Sequence, residues 1–158
     1  MVLVSAAFFL VVLVGSLVGA VALFGYGIGQ LLPGAATARD RVLRGSAALT
    51  GAAAVALVAW GLLCVGGTVV SAEDGGADSS PIIPCRTGDA DRDALITDYS
   101  VSYVPLGFKC TRSDGGRYLT DDVPPYVNPG IAAFGLTGIG AAFTVAFRAK
   151  SAVRHTAL

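Results

Sequence analysis

The sequence predicts a mainly α-helical integral membrane protein: three transmembrane helices plus a small disulfide-linked extracytoplasmic β-meander. Three observations lead there. The composition is 54% hydrophobic and only 14% charged, with a mean hydropathy of +0.68, whereas an ordinary soluble domain is about 25% charged. The charges are segregated: none falls in 1–38, 45–72 or 123–147, and each stretch exceeds the ~20 residues that cross a ~30 Å hydrocarbon core. The third observation is that Cys85 and Cys110 both fall in the one long charged segment between these stretches. The apolar runs are continuous and do not alternate, which excludes a β-barrel crossing.

The first element is a transmembrane helix in 1–32, with its apolar run over 5–31, stopped by Leu32-Pro33-Gly34. A secretory signal has a basic start and an apolar region of only about 7–15 residues. Here no basic residue precedes a much longer run, so a retained anchor is expected. A basic loop at 33–45 carries Arg39, Asp40, Arg41 and Arg44. The second span is 46–70, and the third is 129–147. The third has Asn128 as a candidate N-cap and Pro129 at the first helical position, where a missing N–H is harmless. Arg148, Lys150, Arg154 and His155 lie in the tail at 148–158.

Basic residues set orientation. The short loop sums to +2 and the tail to +3, while the long loop sums to −5. A plasma-membrane protein follows, with both short basic segments cytoplasmic and the N-terminus and the 71–128 loop outside. Two cysteines on an oxidising side read as a disulfide between Cys85 and Cys110. Cys64, inside the second span, reads as a small packing residue.

The outer loop is not uniform. Residues 71–84 are rich in Glu, Asp, Gly and Ser and read as a linker. A helical turn is expected over 89–98. Tyr99, Val101 and Tyr103 then alternate with Ser100, Ser102 and Val104, the pattern of a half-buried strand. Pro105-Leu106-Gly107 turns the chain, residues 108–111 return it, Asp114-Gly115 makes a second turn and residues 117–120 form a third strand. Tyr126 suits the outer aromatic belt.

Arginine outnumbers lysine nine to two and asparagine occurs once, a usage that looks like a GC-rich bacterial genome. The run Ser102-Tyr103-Val104-Pro105-Leu106-Gly107-Phe108-Lys109-Cys110 is similar to an aromatic-x-Pro-Leu-Gly-x-x-Cys stretch of small actinobacterial membrane proteins of unknown function. The resemblance covers about ten residues and implies no activity.

Candidate sites are few. Asp89, Asp91 and Asp93 stand at the first, third and fifth places of a calcium-loop pattern. Ala94 and Ser100 occupy the places where that loop needs Gly and Glu, so a solvated acidic surface is the competing reading. Gly15/Gly19, Gly25/Gly29 and Gly138/Ala142 carry the spacing that lets membrane helices approach closely, though glycine and alanine are also simply abundant. Ala52/Ala56 repeat it. No Asp, Glu, Lys, Arg or His lies inside a span, where such residues mark ion paths and proton relays. The polar candidates there include Gln30, Thr50, Thr68, Thr137 and Thr144. Trp60 falls near the middle of the second span and reads as a helix-packing residue. A single histidine and no Cys-x-x-Cys pair leave no hydrolase, metal or redox constellation.

The expected function is therefore non-enzymatic, without a cofactor and without nucleic acid. The partners expected are the lipid bilayer and another membrane or envelope protein that the chain serves as an accessory or scaffolding subunit, with a homo-oligomer as a further possibility. The alternatives are an oligomeric permeation element for ions or small solutes, and an extracytoplasmic sensor of a ligand or ion.

Overall fold

The computed structural model describes residues 2–33, 37–74 and 82–156. Most of the linker expected at 71–84, and the side chains of Arg154 and His155, lie outside what is described. The elements run α1 (Val2–Leu31), α2 (Ala38–Asp74), a 3-10 turn (Ile83–Cys85), α3 (Ala90–Asp93), β1 (Ile96–Tyr103), β2 (Leu106–Arg112), β3 (Arg117–Leu119) and α4 (Val127–Thr156). Three helical segments, Ala7–Leu31, Ala38–Glu73 and Val127–Arg148, are long and apolar enough to cross a membrane. The chain divides into two units, one of residues 1–59 with 129–158 and one of Trp60–Asn128.

In the first unit α1 and α2 run antiparallel, as their contacts show. Gly19 faces Val55, Leu23 faces Gly51, Gly27 faces Ala48 and Leu49, and Leu31 faces Gly45. Within the covered face of α1, Ser16, Ala20, Leu23, Gly27 and Gln30 step by four and three, with Gly19 beside them. That average of 3.5 is the seam of two nearly aligned helices. α4 returns along α2, with Gly130 against Leu57 and Gly138 against Thr50 and Gly51.

The basic loop expected at 33–45 is shorter than the sequence suggested. Arg39, Asp40, Arg41 and Arg44 ride on the first two turns of α2. Thr37 starts that helix: its backbone carbonyl accepts from the Arg41 N–H at 3.1 Å, and its hydroxyl donates to the Asp40 carboxylate at 2.8 Å. This is a capping arrangement of the Thr-x-x-acid kind, and no Gly or Pro interrupts the next turns. Cations at a helix N-terminus oppose its dipole. Arg41 offsets this by reaching back to the Leu32 carbonyl, 3.1 Å away, just past the end of α1.

The span hydroxyls are satisfied within their own helices. Thr50 donates to the Ser46 carbonyl, Thr68 to Cys64, Thr137 to Ala133 and Thr144 to Ala141, all at 2.7–3.1 Å. A hydroxyl bonded to its own preceding turn needs no partner from elsewhere, as an apolar solvent requires.

The second unit packs an antiparallel sheet of order β1-β2-β3 on the C-terminal turns of α2. Its core is Cys85, Ile96, Phe108 and Cys110, with Val69 and Ala72 of α2 against them. β1 begins three residues earlier than the alternation at Tyr99 indicated. Ile96 is buried and pairs with Arg112, and an irregularity between Ile96 and Asp98 shifts the register. The helical turn expected over 89–98 is confined to Ala90–Asp93. Val104-Pro105, joined by a cis peptide bond, makes the β1–β2 turn. The second turn places Gly115 at φ +84°, a conformation that glycine adopts without a Cβ clash.

Candidate functional site

The sheet unit is built around its disulfide. Cys85 and Cys110 are bonded with Cα atoms 5.9 Å apart, and both are fully buried beside Phe108. Tyr99 stacks on Phe108 with ring centroids 4.9 Å apart. The Tyr99 hydroxyl donates to the Glu73 carboxylate at the end of α2, tying β1 to that helix. Burial, and then the Glu73 carboxylate, push the Tyr99 phenol up to about 12. On the far side of the core, the Tyr118 hydroxyl donates to the Cys85 carbonyl.

The three aspartates of the calcium-like pattern do not converge. Asp89 caps the short α3, its side chain accepting from the Asp91 N–H at 3.2 Å, and pairs with Arg92 at 3.5 Å. Asp91 stays exposed. Asp93 is buried and turns the other way. It accepts from the Thr87 N–H and the Thr87 hydroxyl, both at 2.7 Å, and from the Gly88 N–H at 3.3 Å. The Thr87 amide, followed by its hydroxyl, holds the Asp93 carboxyl below the usual carboxylate range. Asp93 is thus a loop organiser next to Cys85. Among the described residues no three His, Cys, Asp or Glu side chains are grouped to hold a metal ion.

Asn128 is not an N-cap. α4 already starts at Val127, and the Asn128 side chain points at β2. Its Oδ1 accepts from the Leu106 N–H at 2.8 Å and its Nδ2 donates to the Leu106 carbonyl at 3.0 Å. β3 has ended by then: the Thr120 N–H donates to the Phe108 carbonyl at 2.9 Å as the last rung. The Asn128 amide supplies the next rung, two residues further along β2. Pro129 remains in the first turn, where no N–H is needed.

Leu106 is seated by another glycine. A Cβ at Gly61 would collide with the Leu106 methyl group and lie 3.0 Å from the Val127 methyl group. Only a bare backbone lets the start of β2 and the start of α4 meet α2 there. The tip beyond presents apolar side chains: Val104 is 93% exposed, and Tyr103, Leu119 and Tyr126 are also exposed.

The expected helix-packing residues divide. Gly19 and Gly138 stand at helix contacts, while Gly15, Gly25 and Gly29 have nothing within 4 Å of where a Cβ would be. Ala142 is exposed. Tight approaches fall instead at Gly27, whose Cβ would lie 2.9 Å from Leu49, at Gly45, 2.8 Å from Leu31, and at Gly130, 2.7 Å from Leu57. Of the second pair, Ala52 is buried and Ala56 exposed. Trp60 is 48% exposed and not a packing residue within the chain. Its neighbour Gly61 touches Val127, so Trp60 stands level with the start of α4. Cys64 is a half-buried free thiol on α2.

Sequence reading missed Asn128 as a strand extension, Gly61, and the roles of Asp93 and Glu73. The signal for Gly27 was present in Gly25-Tyr26-Gly27-Ile28-Gly29, where phase against the partner helix, and not spacing, selects the middle glycine. No protein-family model, curated protein or solved structure matches the chain.

Proposed function

We propose that the protein is a non-enzymatic subunit of a bacterial plasma membrane that serves another membrane or envelope protein as an accessory or scaffold. In this reading the sheet unit is extracytoplasmic, the N-terminus is outside and the C-terminus cytoplasmic. Several features support the arrangement. Trp60 and Tyr126 flank the junction where Gly61 meets Val127, as an interfacial aromatic belt would. Arg39, Arg41 and Arg44 mark the opposite end of α2, and Arg148 and Lys150 lie toward the C-terminal end of α4. The disulfide belongs to an oxidising compartment.

The observation that carries the accessory role is the unpacked face of α1. Gly15, Ala22, Gly25 and Gly29 share that face, all exposed, and the three glycines meet nothing within 4 Å. Small residues facing lipid gain nothing there, whereas a second helix can approach closely on them. The test is purification in mild detergent followed by size analysis of the wild-type chain and of Gly25→Leu. The expected result is a stoichiometric complex that Gly25→Leu disperses without lowering the chain's own melting temperature. A wild-type chain that migrates alone, or a complex indifferent to Gly25→Leu, overturns it.

A further inference from the structure

In the helical unit a cleft of about 320 Å³ opens between α1, α2 and α4, within the ~300–1,000 Å³ range of ligand pockets. Its walls include Leu23, Ala47, Ala142 and Val145, and Arg44 and Tyr26 also line it. The cleft exists because alanines stand where the three helices would otherwise fill the space. Arg44 is exposed, and among the described residues no carboxylate pairs with it. Asp40, one turn away, is held by the Thr37 hydroxyl. Arg41 precedes Arg44 by one turn on α2, and Arg148 and Lys150 follow Val145 by one turn or so on α4. The cleft thus combines apolar walls with a cationic end.

We propose that this cleft seats one anionic phospholipid, with an acyl chain against the alanine wall and the phosphate on Arg44. Charge complementarity selects the occupant. An apolar helix of a partner would leave the Arg44 guanidinium without a counter-charge, while a phosphate meets its planar fork of donors in bidentate fashion. Basic pockets between membrane helices bind anionic headgroups for the same reason. The inference stands on the helices lying in lipid, and not on which leaflet faces the cytoplasm.

The test is native mass spectrometry of the full chain in mild detergent, offered phosphatidylglycerol and phosphatidylcholine of matched acyl chains. The expected result is one retained phosphatidylglycerol, preferred about fivefold or more over phosphatidylcholine, the effect of roughly one cation near the surface. Arg44→Gln removes the preference, Ala142→Leu fills the cleft and removes the bound lipid, and Arg39→Gln leaves both in place. Circular dichroism checks the fold of Ala142→Leu, and Arg44→Gln carries the test should that variant misfold. Equal retention of the two lipids overturns the proposal, as does retention unchanged by Arg44→Gln, or a loss in Arg39→Gln equal to that in Arg44→Gln. Displacement of the lipid by inorganic phosphate would make the site one for free phosphate and overturns it as well.

Discussion

Replacing Asn128 by aspartate separates two roles that the sequence alone does not distinguish. As an N-cap, Asp serves as well as Asn, and a negative charge near a helix N-terminus adds about 0.3–1 kcal/mol of stability. The structure uses Asn128 differently, as acceptor for the Leu106 N–H and donor to the Leu106 carbonyl. Leu106 is 5% exposed, so water does not replace either bond readily. Each backbone group left unsatisfied costs about 1–3 kcal/mol, and Asn128→Ala therefore destabilises the sheet unit by roughly 2–6 kcal/mol. Asn128→Asp keeps the acceptor but loses the donor and sets a carboxylate against the Leu106 carbonyl. Its loss of about 1–3 kcal/mol exceeds the dipole gain. Hydrogen–deuterium exchange of the β1–β2 turn peptide, in detergent or nanodiscs, reads this directly. Exchange at Leu106 should accelerate roughly tenfold or more in Asn128→Ala, since 1.4 kcal/mol is a factor of ten, and by a smaller factor in Asn128→Asp, which keeps the acceptor. An Asn128→Asp protein as protected as wild type would restore the cap and refute the strand-extension role.

Other consequences follow from the same contacts. The Cys85–Cys110 bridge spans 25 positions, so replacing both residues by alanine removes about 3.5 kcal/mol in the chain-entropy model and should expose the 85–120 region to protease while the helices stay intact. Gly27→Val should lower the melting temperature through overpacking of about 1–3 kcal/mol, because its Cβ would lie 2.9 Å from Leu49. Gly25→Val should leave the isolated chain unchanged, and equal losses in the two would contradict the helix phase described. Asp93 has a folded pKa below its ordinary 3.8. Its contribution is therefore present above that value and is lost as pH falls through the depressed one, and Asp93→Asn should flatten the acid limb of the sheet unit's stability. Tyr99 is raised from 10.0 to about 12, so its contribution is complete below pH 10 and is lost on rising through pH 12. In a phenolate absorbance titration Glu73→Gln should shift that ionisation downward.

Much of this architecture was legible in the sequence, because the solvent dictates it. Three uncharged runs in a chain of segregated charges leave few options but helices in lipid. The alternation from Tyr99, the Asp114-Gly115 turn and two cysteines in one loop specified a meander with a staple. What escaped was whatever depends on the third dimension. The start of α2 moved because Thr37 and Asp40 cap it within a stretch that reads as a polar loop. Asn128 followed by Pro129 carries a cap's local signature, and only the proximity of Leu106 gives its amide another use. The glycine spacing does not fix the phase against α2, so Gly27 packs on that helix while Gly25 and Gly29, named by the spacing, meet nothing within 4 Å. Asp89, Asp91 and Asp93 share a spacing but point apart, since Asp93 is captured by the Thr87 and Gly88 amides.

The central claim is that the sheet unit and the basic helix ends lie on opposite sides of a membrane. Single cysteines at Val104, 93% exposed at the tip of the hairpin, and at Lys150 on α4, each in a Cys64→Ala background, test it in intact cells with a membrane-impermeant maleimide. Val104→Cys should be labelled in intact cells and Lys150→Cys only after permeabilisation. Labelling of both without permeabilisation, or of Lys150→Cys alone, would contradict it.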